Sequence, residues 1–283
     1  MKKIRISWQL AKQCWKVLML DRELLLFPVL SSAAMVLVIA SFMLPLWGSG
    51  LLQQAAEHKD LAHNPVLIAA YLAFYLAAYF VIIFFNTALV ACAMIRLRGG
   101  NPTVTDGLRA AWERLPAIFG WAALSAFVGL IIQAIEERVG IIGKIIVGLI
   151  GIAWAVASYF VIPTIVVENV GPVEALKRSA ALIKRTWGEA LTVQVGITAV
   201  LGIAGIVSAA LFAGGGALMG ANPIAGGSLL AAGIVWMLCV MVVGATLQAI
   251  LTAALYLYAA DGRVPGDFDN DLLKDVFVPK VRG

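Results

Sequence analysis

Charged side chains make up only 13% of this 283-residue chain, histidine occurs twice and cysteine three times. A water-soluble domain carries about 25% charged residues, so the first scarcity excludes that class. The second leaves acid-base catalysis few participants, because His58 and His63 both fall in one short segment with Glu57 and Asp60. The two histidines are five residues apart, off the i, i+4 spacing that sets zinc ligands on one helical face, so no metal site is expected. Cys14, Cys92 and Cys239 cannot all pair, and two of them sit in apolar stretches where a thiol behaves as a small hydrophobe, so no structural disulfide is expected.

Missing too are a Walker loop, a dinucleotide-binding glycine fingerprint after a strand and a Ser-His-Asp set. Asp267, Asp269 and Asp271 imitate the start of a calcium loop. Leu272, however, stands where its glycine belongs and Val278 where its bidentate glutamate belongs. One of these aspartates is expected instead to cap a short helix containing Leu272, Leu273, Val276 and Phe277. No cofactor is implied, and the chain is not expected to be an enzyme.

What the chain has in abundance is apolarity, 62% hydrophobic residues with a mean hydropathy of +0.95. Six runs reach the roughly 20 residues that a helix needs to cross a bilayer, over about 24–47, 66–95, 116–135, 141–167, 190–213 and 228–260. None alternates strictly as a barrel strand would, so the expected class is all-α, a single polytopic domain over 1–283. The segments before span one, between spans two and three, between spans four and five, and after span six hold 18 of the 21 Lys and Arg residues. By the positive-inside rule both termini are cytoplasmic and the chain crosses six times. The excess of 21 basic over 16 acidic residues therefore encodes orientation, and no nucleic-acid partner is expected. The N-terminal segment is too long and amphipathic for a cleaved signal, so it is expected to be retained.

Amphipathic helices are expected at about 4–18, 105–115 and 172–187, one before each pair of spans. In the first, Ile4, Trp8, Ala11, Trp15 and Leu18 form the apolar stripe. Leu108, Ala111, Trp112 and Leu115 form the second, and Val173, Leu176, Ala180, Ile183 and Trp187 the third. Aligning Trp15, Trp112 and Trp187 puts a base three residues earlier each time, Lys12, Arg109 and Lys184. This pattern reads as three copies of surface helix plus hairpin, whose bases and tryptophans contact anionic headgroups in the cytoplasmic leaflet.

No charge stands at mid-depth in a span. The deep polar groups are amides, Asn86, Gln194 and Gln248, expected to face another helix or a hydrated cavity. Gly148, Gly151, Ala155 and Ser158, and likewise Thr198, Gly202, Gly205 and Ala209, form small-residue stripes that mark close helix contact within the chain or between copies. The glycine-rich segment 214–227 reads as an outer loop, with a re-entrant turn as the alternative.

The run Tyr159-Phe160-Val161-Ile162-Pro163, followed by Glu168-Asn169-Val170-Gly171-Pro172, Glu174-Ala175-Leu176-Lys177-Arg178-Ser179 and Trp187, resembles a junction in uncharacterised prokaryotic six-helix membrane families. It is also similar to the membrane domain attached to some glycerophosphodiester phosphodiesterases. The ending Tyr256-Leu257-Tyr258 through Gly262, Pro265, Phe268 and Pro279-Lys280 resembles that of a domain of unknown function in the same group. The resemblance implies a six-helix domain of a prokaryotic cytoplasmic membrane. The phosphodiesterase barrel has no counterpart here, so its activity is not implied. Two functions are expected to compete. One is a membrane-organising or accessory protein acting through its basic helices, with lipid, a second copy or a protein as partner; the other is a passive channel or carrier for a small solute or lipid, lined by the deep amides.

Overall fold

The computed structural model describes residues 2–51 and 64–262, with side chains from Gln9 onward except at 185–201. No strand occurs among the described residues, and the chain is an all-α polytopic membrane protein. Its helices are α1 (Lys2–Leu20), a 3-10 turn (Arg22–Leu25), α2 (Leu26–Gly48), α3 (Pro65–Leu97), α4 (Val104–Trp112), α5 (Leu115–Glu136), α6 (Ile141–Ala157), α7 (Val161–Glu168), α8 (Pro172–Leu218) and α9 (Pro223–Asp261). Five stretches are long and apolar enough to cross a membrane, namely Arg22–Gly48, Pro65–Leu97, Leu115–Glu136, Ile141–Glu168 and Pro223–Asp261, and Gly202–Leu218 is a shorter apolar helix. The segment holding His58 and His63, and the stretch from Arg263 that holds Asp267, Asp269, Asp271 and Leu272–Phe277, lie outside the described residues.

The residues group into two compact units. Among the described residues, the first comprises 2–25, 93–102 and 184–262. In it α1 packs on α9, whose run Leu247–Leu257 is almost wholly buried. The helix-to-span corner is held by Asp21, which accepts a bidentate pair from the Nε and Nη2 of Arg96. Arg96 Nη2 also donates to Asn101 Oδ1 at 2.7 Å. Asp21 is 8% exposed and Arg96 18%, so the pair is largely out of water and each charge depends on the other.

Segment 214–227, expected as a loop, is mostly helix. Residues 219–222 alone join α8 to α9, where Asn222 Oδ1 accepts from the Ala225 N–H at 3.2 Å. The glycines serve packing here: a Cβ on Gly226 would stand 2.8 Å from the Gly215 carbonyl oxygen. Only bare backbones approach this closely in lipid. Lower in the same hairpin Trp236 Nε1 donates to the Ala204 carbonyl at 2.9 Å. The expected boundary between a surface helix ending at 187 and a span starting at 190 is also absent, because α8 runs unbroken through it. A lone Gly188 costs a helix only about 1 kcal/mol, and no proline stands there to end it.

The second unit comprises residues 26–92 and 103–183. There the expected fourth span, 141–167, is two helices. Pro163 lacks an N–H, and its ring would strike the Tyr159 carbonyl in a continuous helix, so the chain breaks between Ala157 and Val161. Hydrocarbon offers the freed backbone groups nothing. Ser179, fully buried on α8, supplies both partners: its Oγ accepts the Phe160 N–H at 2.9 Å and donates to the Ala157 carbonyl at 2.6 Å. Asn169 in the left-handed region (φ 50) then closes α7. Arg114 Nε donates to the Ile165 carbonyl at 3.2 Å, a second bond beside the one that carbonyl accepts from the Asn169 N–H.

In the same unit α4 starts with a reciprocal capping box, Thr103 accepting from Asp106 N–H while Asp106 Oδ2 accepts from Thr103 N–H at 2.9 Å. The Thr103 hydroxyl, which donates to Asp106 Oδ2 at 2.7 Å, and then the Thr103 N–H hold the Asp106 carboxyl below its usual range. Gly107 lets α4 press onto α3, since a Cβ there would stand 2.6 Å from Cys92 Sγ and 2.7 Å from the Ala88 carbonyl. The sequence stripes placed close contact elsewhere. Among the described residues nothing lies within 4 Å of where a Cβ would stand on Gly148, Gly151, Gly202 or Gly205.

Thermal unfolding in detergent separates these roles. Ser179→Ala, which orphans two buried backbone groups, is expected to cost about 1–3 kcal/mol, and Gly107→Ala to lower the midpoint measurably through its backbone clash. Gly148→Ala is expected to leave it unchanged or raise it slightly.

Candidate lipid interface

The described part of α1 has two opposite faces. Leu10, Cys14, Val17 and Leu18 are fully buried. Lys12, Trp15, Lys16 and Met19 share the other side, all exposed, with Trp15 at 45%. The expected apolar stripe is therefore divided among the described residues: Leu18 is buried, Ala11 is half-buried and Trp15 faces out. The reason is chemical. Aliphatic side chains and a thiol close against a neighbouring helix, whereas an indole has an N–H that favours the membrane-water boundary. Burial pushes the Cys14 thiol up to about 12.

Around Trp15 the exposed bases Lys12, Lys16 and Arg22 gather at one helix end. In α4, Trp112 is 69% exposed, but the only exposed base on that helix, Arg109, bonds Glu113 at 3.1 Å and so carries little net field. The inward residues of α4 are Gly107 and Ala111. These stand five and one residues before Trp112, as the buried Leu10 and Cys14 stand before Trp15. Thus the first two helices share one register between tryptophan and packed face. In α8 the packed residues are Ala175, Ser179 and Ile183, whereas Val173 of the expected apolar stripe is 56% exposed. Lys177 and Lys184 are exposed, and Arg178 is held by Glu168 and by Glu174 Oε1 at 2.9 Å, which pushes its guanidinium pKa up. The side chains of Trp187 and Gln194 lie outside the described residues.

The remaining amides fall in different units. Gln248 is half-buried on α9, and its backbone carbonyl accepts from Thr252 Oγ1 at 2.8 Å. Asn86 is half-buried on α3 and belongs to a larger polar file that the reading by single residues missed. Tyr71, Tyr75, Tyr79 and Asn86 lie within roughly 80° on the wheel and span about 22 Å of helix. Tyr71 hydroxyl donates to Gln133 Oε1 at 3.3 Å, and Gln133 Nε2 donates to Glu137 Oε1 at 3.1 Å. The tyrosine hydroxyls at 75 and 79 are 3.5 Å apart. The i, i+4, i+8, i+15 spacing of these polar residues was the available signal. Beyond Asn86, Thr87–Met94 are all buried, and Thr87 Oγ1 is spent on the Ile83 carbonyl at 2.7 Å. Among the described residues no group of three His, Cys, Asp or Glu side chains is placed to hold a metal.

Residues 66–266 match a family of unknown function, DUF6159, and the chain belongs to that family. No curated protein and no solved structure matches it.

Burial of Cys14 has a direct readout. With Cys92→Ala and Cys239→Ala in place, Cys14 is expected to react with a water-soluble maleimide at pH 8 far more slowly than an ordinary thiol, since its sulfur is out of reach of water and burial disfavours the thiolate. Denaturation should restore the ordinary rate.

Proposed function

We propose that this member of the family is a non-enzymatic membrane-organising or accessory protein that grips anionic lipid headgroups with its basic interfacial helices. On this reading it crosses a prokaryotic cytoplasmic membrane six times with both termini in the cytoplasm, and assembles with a second copy or a protein partner. The observation that carries it is the two-faced α1. One side is locked to α9, and the other offers Trp15 between Lys12 and Lys16. A helix so fixed cannot roll its aromatic-basic face away from the surface, and each such lysine contributes about 1 kcal/mol to attraction for an anionic leaflet. The likeness of the 159–187 junction to the membrane domain of some glycerophosphodiester phosphodiesterases agrees with a supporting role beside other proteins' chemistry. The second reading, a passive carrier lined by Asn86, Gln194 and Gln248, draws support from the polar file ending at Asn86, but the packed stretch Thr87–Met94 weighs against a through path.

Tryptophan quenching by brominated lipid tests this in liposomes of phosphatidylcholine containing phosphatidylglycerol. Quenching by brominated phosphatidylglycerol is expected to exceed that by brominated phosphatidylcholine, and the preference to shrink in Trp15→Phe. Lys12→Gln with Lys16→Gln should cut it on the order of fivefold per lysine, and Arg109→Gln much less. Equal quenching by the two lipids in the wild-type protein would refute the headgroup role.

A further inference from the structure

We infer that the polar file on α3 binds the uncharged, hydroxyl-rich headgroup of a lipid, a sugar-like polyol, from the leaflet at the Pro65 end of that helix. The argument is independent of α1. It starts from unmet hydrogen-bonding capacity. A phenol donates once and accepts twice, and an amide side chain donates twice and accepts twice. Tyr75 and Tyr79 share one long contact of 3.5 Å, and Asn86 has no hydrogen-bond partner among the described residues. In hydrocarbon such groups require a companion.

The opposite wall is shaped for one. Gly129 on α5 faces the tyrosine hydroxyls, where a Cβ would stand 2.7 Å from Tyr75 Oη and 3.2 Å from Tyr79 Oη. The bare backbone there lets both half-buried hydroxyls lie directly against α5. The rings of Tyr71 and Tyr75 stack at 5.9 Å with planes 24° apart, a flat aromatic surface of the sort that the C–H face of a sugar ring covers.

Charge decides the headgroup class. Among the described residues the file itself contains no Lys, Arg or His, and Glu137, bonded to Gln133, sets a negative charge beside Tyr71, so a phosphate there would meet repulsion. Neutral hydroxyls match donors and acceptors that are themselves neutral. An amphiphile is favoured over a free polyol because Ile68 and Leu72, both exposed, flank Tyr71 at the mouth and offer an apolar track for a chain. Closure at Thr87–Met94 makes the file a binding site rather than a passage.

The test uses the full chain in phosphatidylcholine nanodiscs with a photoactivatable monoglucosyl diacylglycerol as probe, followed by peptide mapping. Labelling is expected on the peptide carrying residues 68–80, competed by unlabelled monoglucosyl diacylglycerol but not by phosphatidylglycerol or free glucose. Tyr75→Phe with Tyr79→Phe keeps the rings and removes the hydroxyls, and should reduce labelling at least fivefold. Gly129→Ala, which fills the space opposite, should do the same, with thermal unfolding run alongside to show that both variants are folded. Undiminished labelling in the folded double variant overturns the site. Equal competition by all lipids overturns the headgroup selectivity, and competition by glucose alone overturns the lipid as its source.

Discussion

Between α1 and the first span the chain must end one helix and start another within a few residues, and the corner is held by a carboxylate and a guanidinium. Asp21 sits directly after α1, and Arg96 near the end of α3 grips it with two nitrogens while reaching Asn101 with one of them. Because Asp21 is 92% removed from solvent, neither charge can be left alone without a large desolvation cost. The pair therefore fixes where α1 ends. With α1 also packed on α9, one side of that helix is committed to protein and the opposite side to whatever surrounds it.

The same economy of charge runs through the rest of the molecule. Arg114 serves the carbonyl end of α7, Arg178 ties α8 to Glu168 and Glu174, and Arg109 leans on Glu113. Basic residues that a topology rule counts alike are therefore of two kinds. Arg96, Arg109, Arg114 and Arg178, with planar multi-donor groups, hold helix ends and carboxylates together. Lysines such as Lys16, Lys177 and Lys184 are exposed. Any attraction for anionic lipid then rests mainly on the lysines, which is why α1 and not α4 carries the proposed function.

Much of the fold was legible because the bilayer length scale is written directly in apolar runs: five of the expected spans coincide with helices of adequate length and apolarity. What was not legible depends on partners. Which side of α1 faces protein could not be settled from Ile4, Trp8 and Trp15, because large aromatic residues serve equally well inside a protein or at a membrane boundary. The break at 158–160 was hidden by uninterrupted hydrophobicity, although Pro163 signalled it, and its remedy, Ser179, lies 19 residues away from Phe160. Spacing alone does not tell which helix, of this chain or of another copy, meets a glycine stripe: among the described residues nothing stands against Gly148, Gly151, Gly202 or Gly205, and close approaches occur at Gly107, Gly129 and Gly226. Of the candidate site residues, Lys12 and Trp15 do share a surface, whereas Asn86 gained its meaning only from the three tyrosines above it.

The central claim is that α1 is a clamped helix with one protein face and one lipid face. Single spin labels placed at each position from residue 9 to 20 in nanodisc-reconstituted protein measure this directly, through collision with oxygen from the lipid phase and with a nickel chelate from water. The account predicts helical periodicity, with positions 10, 14, 17 and 18 shielded from both reagents and positions 12, 15, 16 and 19 reached by oxygen at headgroup depth. A helix whose positions 12, 15, 16 and 19 met nickel as freely as an unfolded segment would contradict it.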